Sequence, residues 1–263
     1  MRVTLLGTGT SHGVPSLDCM IEDYARCPHQ VCLKAEVNPR HRRTRCSILV
    51  EVGGLNLLVD TSQDFRQQML ANRIRRLDVV LFTHAHADHI YGLPDIRSYS
   101  RGDKIIPIYG SSPTLRALQQ SFEYIFYPPS FVGGGIPQLA PHILEGPSAV
   151  EGVEVIPIPV EHGNAEGCQG YRIGGLAYIP DVKVIPASSL ALLEGLDMLI
   201  LNCLRPRPHI SHLSMAESLA YIERLGPRRC LLTHMTHDID YEVEEPSLPP
   251  NVRFAYDGMV VEV

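Results

Sequence analysis

Seven residues carry the strongest signal for the fold of this chain: THAHADH, at positions 83–89. They overlap the end of an apolar run, DVVLFT at 78–83, which is the pattern of a β-strand buried on both faces. The HxHxDH spacing offers three imidazoles and one carboxylate within six positions. Imidazole and carboxylate together suit Zn, Mn or Fe, and loops that contain histidines by chance rarely have this spacing. The stretch therefore predicts a metal site directly after a buried strand.

Strand-like and helix-like patterns follow one another on both sides of this stretch. Apolar runs predict strands over 2–7, 46–52, 55–60, 78–83, 105–110, 153–160, 169–173, 176–179, 198–202, 229–233 and 259–263. Helical spacing predicts helices over 63–72, 112–122, 187–194 and 214–225, the last beginning with Ser214 and Glu217 in a capping-box arrangement. The segment 127–152, rich in Pro and Gly, is predicted to be a mobile or substrate-facing loop. These elements predict an α/β sandwich in which helices cover two sheets.

The composition is that of an ordinary globular chain. The 263 residues are 44% hydrophobic, which is ample for one domain over 1–263. No apolar run approaches the roughly 18–20 residues that span a bilayer, and the start does not resemble a signal peptide, so we expect a cytoplasmic protein without a membrane partner. A net charge of −6 disfavours nucleic acid as a partner. Seven cysteines in so long a chain do not indicate a disulfide framework.

One local run of positive charge stands apart from this balance, RHRRTR at 40–45. Two interpretations are open at this point. The run is either a charged loop in solvent or a positive rim that helps to attract an anionic substrate.

HxHxDH after a hydrophobic strand resembles the signature of the metallo-β-lactamase superfamily. The resemblance implies an αββα sandwich and gives roles to residues that follow other predicted strands. Asp60 resembles the strand-ending Asp that supports the metal loop from behind its ligands. His162 follows its strand as the third metal-site His of the family does, and Asp181 matches the metal-bridging carboxylate. His234, after the strand at 229–233, matches the final His ligand.

These assignments imply a site for two divalent metal ions, Zn or Mn. The implied ligands form two triads and a bridge: His84, His86 and His162; Asp88, His89 and His234; and Asp181. Each assignment outside the 83–89 stretch has a plain alternative, a polar side chain at the surface or one satisfied in the core.

The N-terminal stretch LLGTGTSHGVP, at 5–15, is similar to one branch of the superfamily, the PhnP-like phosphodiesterases. In that branch, three cysteines after the glycine-rich start hold a structural zinc with a His three positions beyond the last active-site His. Cys19, Cys27, Cys32 and His237 occupy these places, and a Cys₃His set is a closed tetrahedral zinc site. The gap between Cys19 and Cys27 is longer than in the family, so free or redox-active thiols are the alternative.

The same resemblance implies a phosphodiesterase that acts on a cyclic or small nucleotide-like phosphodiester; the characterised member of the branch opens cyclic ribose phosphates. The implied mechanism uses a hydroxide activated by two metals, with Asp88 orienting this nucleophile. The leaving alkoxide needs a proton, and His212 is the predicted donor, since histidine ordinarily titrates near neutral pH. The plain alternative for His212 is a local hydrogen bond beside the following helix.

Two further functions stay open. A tRNA 3′-processing nuclease shares the two-metal site, but it also needs a basic arm, for which this chain has no obvious equivalent. A noncatalytic carrier or binding protein of the same fold, linked to cofactor biosynthesis, would have no chemical need for all seven ligands. A thioesterase is a weaker alternative, and so is a lactamase, whose Cys ligand would stand where Asp181 is. Relatives in the family are often dimers, so a homodimer is an alternative to a monomer.

Overall fold

The computed structural model describes residues 1–128 and 135–263. The strands in these residues are β1 (Arg2–Gly7), β2 (Ser47–Val52), β3 (Leu55–Val59), β4 (Val79–Leu81), β5 (Ile106–Gly110), β6 (Leu139–Ile143), β7 (Ser148–Val150), β8 (Val153–Pro159), β9 (Gln169–Ile173), β10 (Leu176–Ile179), β11 (Met198–Asn202), β12 (Arg229–Thr233), β13 (Val252–Phe254) and β14 (Val260–Glu262). The α-helices are α1 (Leu17–Ile21), α2 (Val31–Val37), α3 (Phe65–Ala71), α4 (Ala87–Ile90), α5 (Ser112–Ser121), α6 (Glu123–Phe126), α7 (Ala187–Ala191), α8 (Met215–Leu225) and α9 (Tyr241–Glu244). Short 3₁₀ turns lie at Pro28–Gln30, Pro39–His41, Leu93–Ser98 and Glu245–Ser247.

Two sheets contain these strands, seven in each among the residues described. The first is ordered β14-β1-β2-β3-β4-β5-β6 and the second β13-β12-β11-β10-β9-β8-β7. Strands β3 to β6 run parallel in the first sheet, and β10 to β13 run parallel in the second. Parallel strands bring their carboxyl ends to one edge of a sheet, which is where α/β proteins place their sites.

Apolar side chains divide the molecule into layers. Leu81 and Tyr178 belong to a buried cluster that fills the space between the sheets. Phe65 of α3 and Leu118 of α5 pack on the outer face of the first sheet, and Ile222 of α8 packs on that of the second. The predicted αββα sandwich is confirmed.

The structure differs from the predicted elements mainly at short or edge strands. The predicted loop at 127–152 contains β6 and β7, which are the end strands of their sheets; its residues 129–134 lie outside the described part. Pro141 within β6 is compatible with an edge, because an edge strand need not donate every backbone hydrogen bond. Among the described residues, no helix is long and apolar enough to cross a membrane.

Candidate metal centre and its cavity

The HxHxDH stretch leaves β4 as a short loop and becomes the four-residue helix α4. Asp60, at the end of β3, holds this loop in place from a fully buried position. Its Oδ1 accepts a hydrogen bond from the Thr83 backbone N–H at 2.8 Å. Its Oδ2 accepts one from the Thr83 hydroxyl at 2.8 Å and one from His89 Nδ1 at 2.7 Å. Because Nδ1 of His89 is the donor, Nε2 is left free to bind a metal.

The first predicted triad comes together at the mouth of the sandwich. His84 Nε2 lies 2.9 Å from His86 Nδ1, and His162 Nε2 lies 3.3 Å from the same His86 atom. His162 Nδ1 donates to the Ser211 carbonyl at 2.8 Å, which aims Nε2 at the other two rings. Burial lowers the pKa of His84 and lowers that of His162 to about 4, so both imidazoles are neutral near pH 7. Neutral imidazole is the form that binds metal ions.

The second triad lies beside the first, and Asp181 lies between them. Asp88 Oδ2 is 3.5 Å from His89 Nε2 and 3.6 Å from His234 Nε2. Asp181 Oδ2 is 3.0 Å from His89 Nε2, while its Oδ1 is 3.1 Å from His234 Nε2 and 3.8 Å from His162 Nε2. Burial acts to raise the pKa of Asp181, but His234 and His89 outweigh it and hold the pKa well below its usual value. Asp181 therefore offers a charged carboxylate to both triads.

The buried polar atoms of this cluster fit divalent cations. His89 Nε2, His234 Nε2 and Asp181 Oδ2 are inaccessible to solvent, and none of them makes a hydrogen bond of proper geometry, although His89 Nε2 and Asp181 Oδ2 lie only 3.0 Å apart. Leaving such atoms unsatisfied costs about 1–3 kcal/mol each. All three point into the space between the two triads, where metal coordination would satisfy them.

His212 lies at the rim of the cluster. Its Nε2 is 3.0 Å from Asp181 Oδ1, and its Nδ1 is 3.0 Å from the Ser211 hydroxyl and 3.2 Å from His209 Nδ1. The side chain is 15% exposed, in contrast to the fully buried His89. His212 thus contacts Asp181 and remains partly accessible to solvent.

Two adjoining cavities open onto the cluster. One, of about 360 Å³, is lined by His86, Asp88, Asp181 and their neighbours. The other, of about 330 Å³, extends towards His237 and includes Arg205 and His209, which we did not identify from the sequence. Ser11, His212 and His234 line both cavities, so the two form one cleft. Each volume lies at the lower end of the range for small-molecule sites.

A second cluster lies at the end of this cleft and consists of the four residues predicted for structural zinc. His237 Nδ1 is 3.0 Å from Cys19 Sγ, 3.4 Å from Cys32 Sγ and 4.0 Å from Cys27 Sγ. The Ser16 and Cys32 backbone N–H groups donate to the Cys32 and Cys27 sulfurs, at 3.4 and 3.3 Å. One nitrogen and three sulfurs at these separations fit a tetrahedral zinc ion, despite the lengthened gap between Cys19 and Cys27.

The basic run at 40–45 is divided between the surface and the interior: Arg40 and Arg42 are exposed, and Arg45 donates from Nε to the carbonyl of Ser11 at the cleft. Arg43 is only 1% exposed and donates to the Tyr241 hydroxyl and to the carbonyls of Thr236 and Ile239. The other arginines of the run also have protein partners: Glu245 for Arg40, the carbonyls of Ala35 and Glu36 for Arg42, and Asp64 for Arg45. The run therefore fastens the N-terminal segment to α9 and α3.

The chain is similar in sequence and fold to proteins of the beta-lactamase superfamily. The family model described as "Beta-lactamase superfamily domain" matches residues 55–235. A crystal structure described as "a New Diphosphatase from the PhnP Family" is 36% identical, covers 100% of this chain and 97% of that chain, and has a TM-score of 0.88. The chain therefore belongs to the beta-lactamase superfamily and, within it, to the PhnP family. Zn(2+)-bound PqqB from Methylobacterium extorquens has the same fold, with a TM-score of 0.77 at 21% identity and 100% coverage of both chains.

Two curated relatives match over part of their length. The octanoyltransferase of Porphyromonas gingivalis is 34% identical over 263 residues, which are 98% of this chain and 51% of that protein. A ribonuclease Z of Bradyrhizobium sp. is 37% identical over 82 residues, 29% of this chain and 27% of that protein. The chain thus spans about half of the first relative and less than a third of the second. Half of the octanoyltransferase lies outside the match, so its activity is not assigned to this chain.

Proposed function

We propose that this chain is a metal-dependent hydrolase that cleaves a P–O bond in a small phosphodiester. One observation carries the proposal. Asp181 lies between two triads of imidazole and carboxylate ligands, and buried donor atoms around it make no hydrogen bond of proper geometry. Similarity to a diphosphatase of the PhnP family supports the same kind of bond as the target.

The proposed metal ligands are those of the two triads and the bridge: His84, His86 and His162; Asp88, His89 and His234; and Asp181. Two divalent ions there, Zn or Mn, would lower the pKa of a bound water and offset negative charge on the phosphoryl oxygens. The zinc in the structure of PqqB favours Zn as the first ion to test.

The chain's own groups would then position the reactants and supply the proton. Asp88 lines the cavity, so its carboxylate would accept a hydrogen bond from the attacking water and orient it towards phosphorus. This water would first lose one proton to solvent, because the metals lower its pKa. As the oxygen of the resulting hydroxide bonds to phosphorus, the bond to the leaving oxygen breaks, and its electron pair stays on that oxygen. His212 Nε2 would protonate the leaving oxygen, since this ring lines both halves of the cleft.

Turnover of bis(p-nitrophenyl) phosphate by the metal-loaded protein tests the activity directly. A thioester and nitrocefin are the comparison substrates, because they probe the thioesterase and lactamase chemistries of the same fold. We expect hydrolysis of the phosphodiester alone. Absence of all turnover by protein that carries its full metal content would instead favour a noncatalytic binding role.

The role of His212 gives a sharper test. Replacing His212 with Ala is expected to lower kcat by roughly 10²–10⁴-fold, the usual contribution of a general acid, on a diester with an alkoxide leaving group such as 2′,3′-cyclic AMP, and much less on bis(p-nitrophenyl) phosphate, whose p-nitrophenolate leaves without a proton. Metal content is expected to stay at the wild-type level, because both triads and Asp181 remain in the variant, although His212 also groups with His162 and Asp181. His142→Ala, a histidine on the exposed edge strand β6, is the matched control and should leave both measurements unchanged. Loss of bound metal in His212→Ala would mean that the residue is a ligand and not a proton donor.

A tRNA 3′-processing nuclease is the second candidate, favoured by the 82-residue similarity to ribonuclease Z. The charge of the chain opposes it, because a net −6 supplies little attraction for the phosphates of a folded RNA. A precursor tRNA with a 3′ trailer is the substrate that distinguishes the nuclease from a hydrolase of small phosphodiesters. Cleavage of this RNA with a higher kcat/KM than any small diester would favour the nuclease.

We also propose that Cys19, Cys27, Cys32 and His237 hold a structural zinc ion. Four strong ligands would leave no open position for a substrate, which suits a stabilising site and not a catalytic one. The cluster joins α1 and α2 to the loop after β12, and that loop also carries His234.

A further inference from the structure

We propose that a groove on the outer face of the first sheet binds an acidic amphipathic helix of a partner protein. The groove has a volume of about 560 Å³ and lies between α3, with the turn that follows it, and the 3₁₀ turn at Leu93–Ser98, with Tyr99. None of its lining residues lines the cleft beside the metal centre. The proposal therefore goes beyond the proposed hydrolase function and does not depend on it.

The groove is positively charged, although the chain as a whole carries a net charge of −6. Four arginines with exposed side chains line it: Arg66, Arg73, Arg75 and Arg97. Within residues 1–128 and 135–263, none of these guanidinium groups forms an ion pair or a hydrogen bond, whereas the neighbouring Arg76 pairs with Asp78. Among the described residues, Asp95 is the single acidic side chain in the wall. The groove thus offers an excess of positive charge to a ligand.

Arg73 stands at a position where helices commonly have glycine. It is the second residue after the end of α3, and its φ is 53°. Two hydrogen bonds fix this conformation, from the Ile74 N–H to the Met69 carbonyl at 3.0 Å and from the Arg73 N–H to the Leu70 carbonyl at 3.2 Å. The left-handed conformation costs a residue with a side chain roughly 1–2 kcal/mol, which is why Gly is preferred there. A contact between the arginine side chain and a partner would offset that cost.

Apolar groups form the floor of the groove. Leu70 is 62% exposed, although leucine is ordinarily a buried residue, and Ile74 and Tyr99 are half-buried. The Tyr99 hydroxyl donates to the Ile74 carbonyl at 2.8 Å, which joins the two walls of the groove. A ligand that covers this floor would remove apolar surface from water.

This floor favours a helix over a nucleic acid as the occupant. Proteins that bind single strands combine positive charge with exposed aromatic rings on which the bases stack. In this groove Phe65 is only 2% exposed, and the most exposed apolar group is the aliphatic Leu70. A helix with leucine-like side chains on one face and carboxylates beside them would contact the floor and the arginines together.

A second copy of this chain fits the groove poorly. In a two-fold contact the same surface meets itself, so the four arginines of one copy would face those of the other. Like charges placed opposite each other across an interface are costly. The charge of the groove therefore favours a different protein, one that presents carboxylates.

Fluorescence anisotropy with labelled peptides and the metal-loaded protein tests the proposal. The acidic peptide has about 18 residues, with Leu at helical spacing on one face and Glu on the other. One comparison peptide has Lys in place of Glu, and another has the residues of the acidic peptide in scrambled order. At about 0.15 M salt, we expect the wild type to bind the acidic peptide at least about 10-fold more tightly than either comparison peptide, because binding needs both the charge and the apolar face.

Variants separate the charge of the groove from its floor. Arg73→Glu combined with Arg97→Glu reverses two charges and should weaken binding of the acidic peptide at least about 10-fold. Leu70→Asp should have a similar effect, because it removes the most exposed apolar group. Arg224→Glu is the matched control, since Arg224 is an exposed arginine on α8, which covers the second sheet. It should leave binding unchanged, and all the variants should melt close to the wild-type temperature because the altered side chains are exposed.

Five results would overturn the proposal. Absence of binding by the acidic peptide would do so, and equal binding of the scrambled peptide would show that charge alone accounts for the affinity. Unchanged binding in the double arginine variant would place the peptide elsewhere on the surface. Tighter binding of a single-stranded RNA oligonucleotide would assign the groove to nucleic acid, and self-association that Leu70→Asp abolishes would assign it to a second copy. Turnover of phosphodiesters is measured separately, so failure of this proposal is distinct from failure of the hydrolase function.

Discussion

Asp60 and His234 have left-handed backbone conformations, with φ of 65° and 60°. This conformation costs a non-glycine residue on the order of 1 kcal/mol, and it persists where surrounding contacts fix the backbone. At Asp60, the backbone N–H donates to the Leu81 carbonyl at 2.9 Å, and the carboxylate accepts from Thr83 and His89. The strained turn therefore brings a buried carboxylate against the metal loop, and local propensity alone would not predict it.

The proposed zinc site of the cysteine cluster can be tested by changing one ligand atom, the sulfur of Cys27, to oxygen. Cys27→Ser replaces a strong zinc ligand with a weak one, so we expect the variant to lose one equivalent of zinc and to melt at a lower temperature. Elemental analysis of the purified protein and thermal unfolding are the measurements. Cys230→Ser is the control: this cysteine is buried in β12, away from the cluster, so any loss of stability there should leave zinc stoichiometry unchanged. Unaltered zinc in Cys27→Ser would contradict the cluster's role.

Single residues differ in how far the sequence reveals them. His84, His86, Asp88 and His89 stand out as candidate ligands in the sequence because four such side chains fall within six positions after a buried strand. The candidate ligands far from this stretch could be named only by resemblance, since nothing local distinguishes His162 from a surface histidine. Arg205 and His209 gave no signal, because their place at the cleft depends on a cavity formed by three segments that are far apart in the sequence.

Among the elements, α8 was the most completely predicted, and its capping box is confirmed. Ser214 N–H and Oγ donate to Glu217 Oε2 at 2.8 and 2.6 Å, and the Glu217 N–H donates back to Ser214 Oγ. Lys183 Nζ adds a contact of 2.6 Å to Glu217 Oε1. Burial acts to raise the pKa of Glu217, but the hydrogen bonds from Lys183 and Ser214 outweigh it and lower the pKa to about 2. The cap thus depends on an ionised carboxylate.

A pH dependence follows from this lowered pKa. The pKa of Glu217 is lowered in the folded chain, so the ionised carboxylate stabilises the fold fully at pH values above its ordinary pKa of 4.5. This stabilisation is lost as the pH falls towards 2. Glu217→Gln keeps the capping geometry but removes the charge. At pH 6 we expect the variant to be less stable by about 0.5–1 kcal/mol, since the pair is partly exposed, and the difference should shrink by pH 3.5. Urea unfolding at both values measures it.

The matched control for this experiment is Glu223→Gln, which removes an exposed carboxylate from the same helix. Its effect on the free energy of unfolding should be small at both pH values. A wild-type to Glu217→Gln difference that stays constant between pH 6 and pH 3.5 would show that Glu217 does not titrate with a lowered pKa.

Elements that the sequence missed are short or lie at edges. Strands β7 and β13 have three residues each, too few for an alternating pattern to stand out from a loop. Strand β6 exposes most of its side chains, so its sequence lacks the apolar pattern that a buried face produces. Helices α1 and α2 surround the cysteine cluster and are five and seven residues long. Tertiary contacts, not local propensity, fix such short elements.

At the scale of the whole molecule, the proposed metal centre joins the two sheets. Four of its ligands lie in the loop after β4 of the first sheet, while His162, Asp181 and His234 follow strands of the second. Protein contacts already link the sheets at this edge: the Gln169 N–H donates to the Thr83 carbonyl at 3.0 Å, and the Tyr171 hydroxyl donates to the Phe82 carbonyl at 2.6 Å. Metal binding would therefore stabilise the packing of one sheet on the other.

Addition of zinc or manganese to metal-free protein should accordingly raise its melting temperature in a concentration-dependent way. A ligand at 100 times its Kd adds about 2.7 kcal/mol, or roughly 5–10 °C for a chain of this size. His234→Ala should lose most of the increase that comes from the active site, because it removes a ligand supplied by the second sheet. Cys27→Ser should keep the rise in melting temperature that comes from the active site and lose only the rise that comes from the cysteine cluster. An equal rise in His234→Ala and wild type would show that the ions bind elsewhere, and that the sheets are held together by their shared apolar core and hydrogen bonds alone.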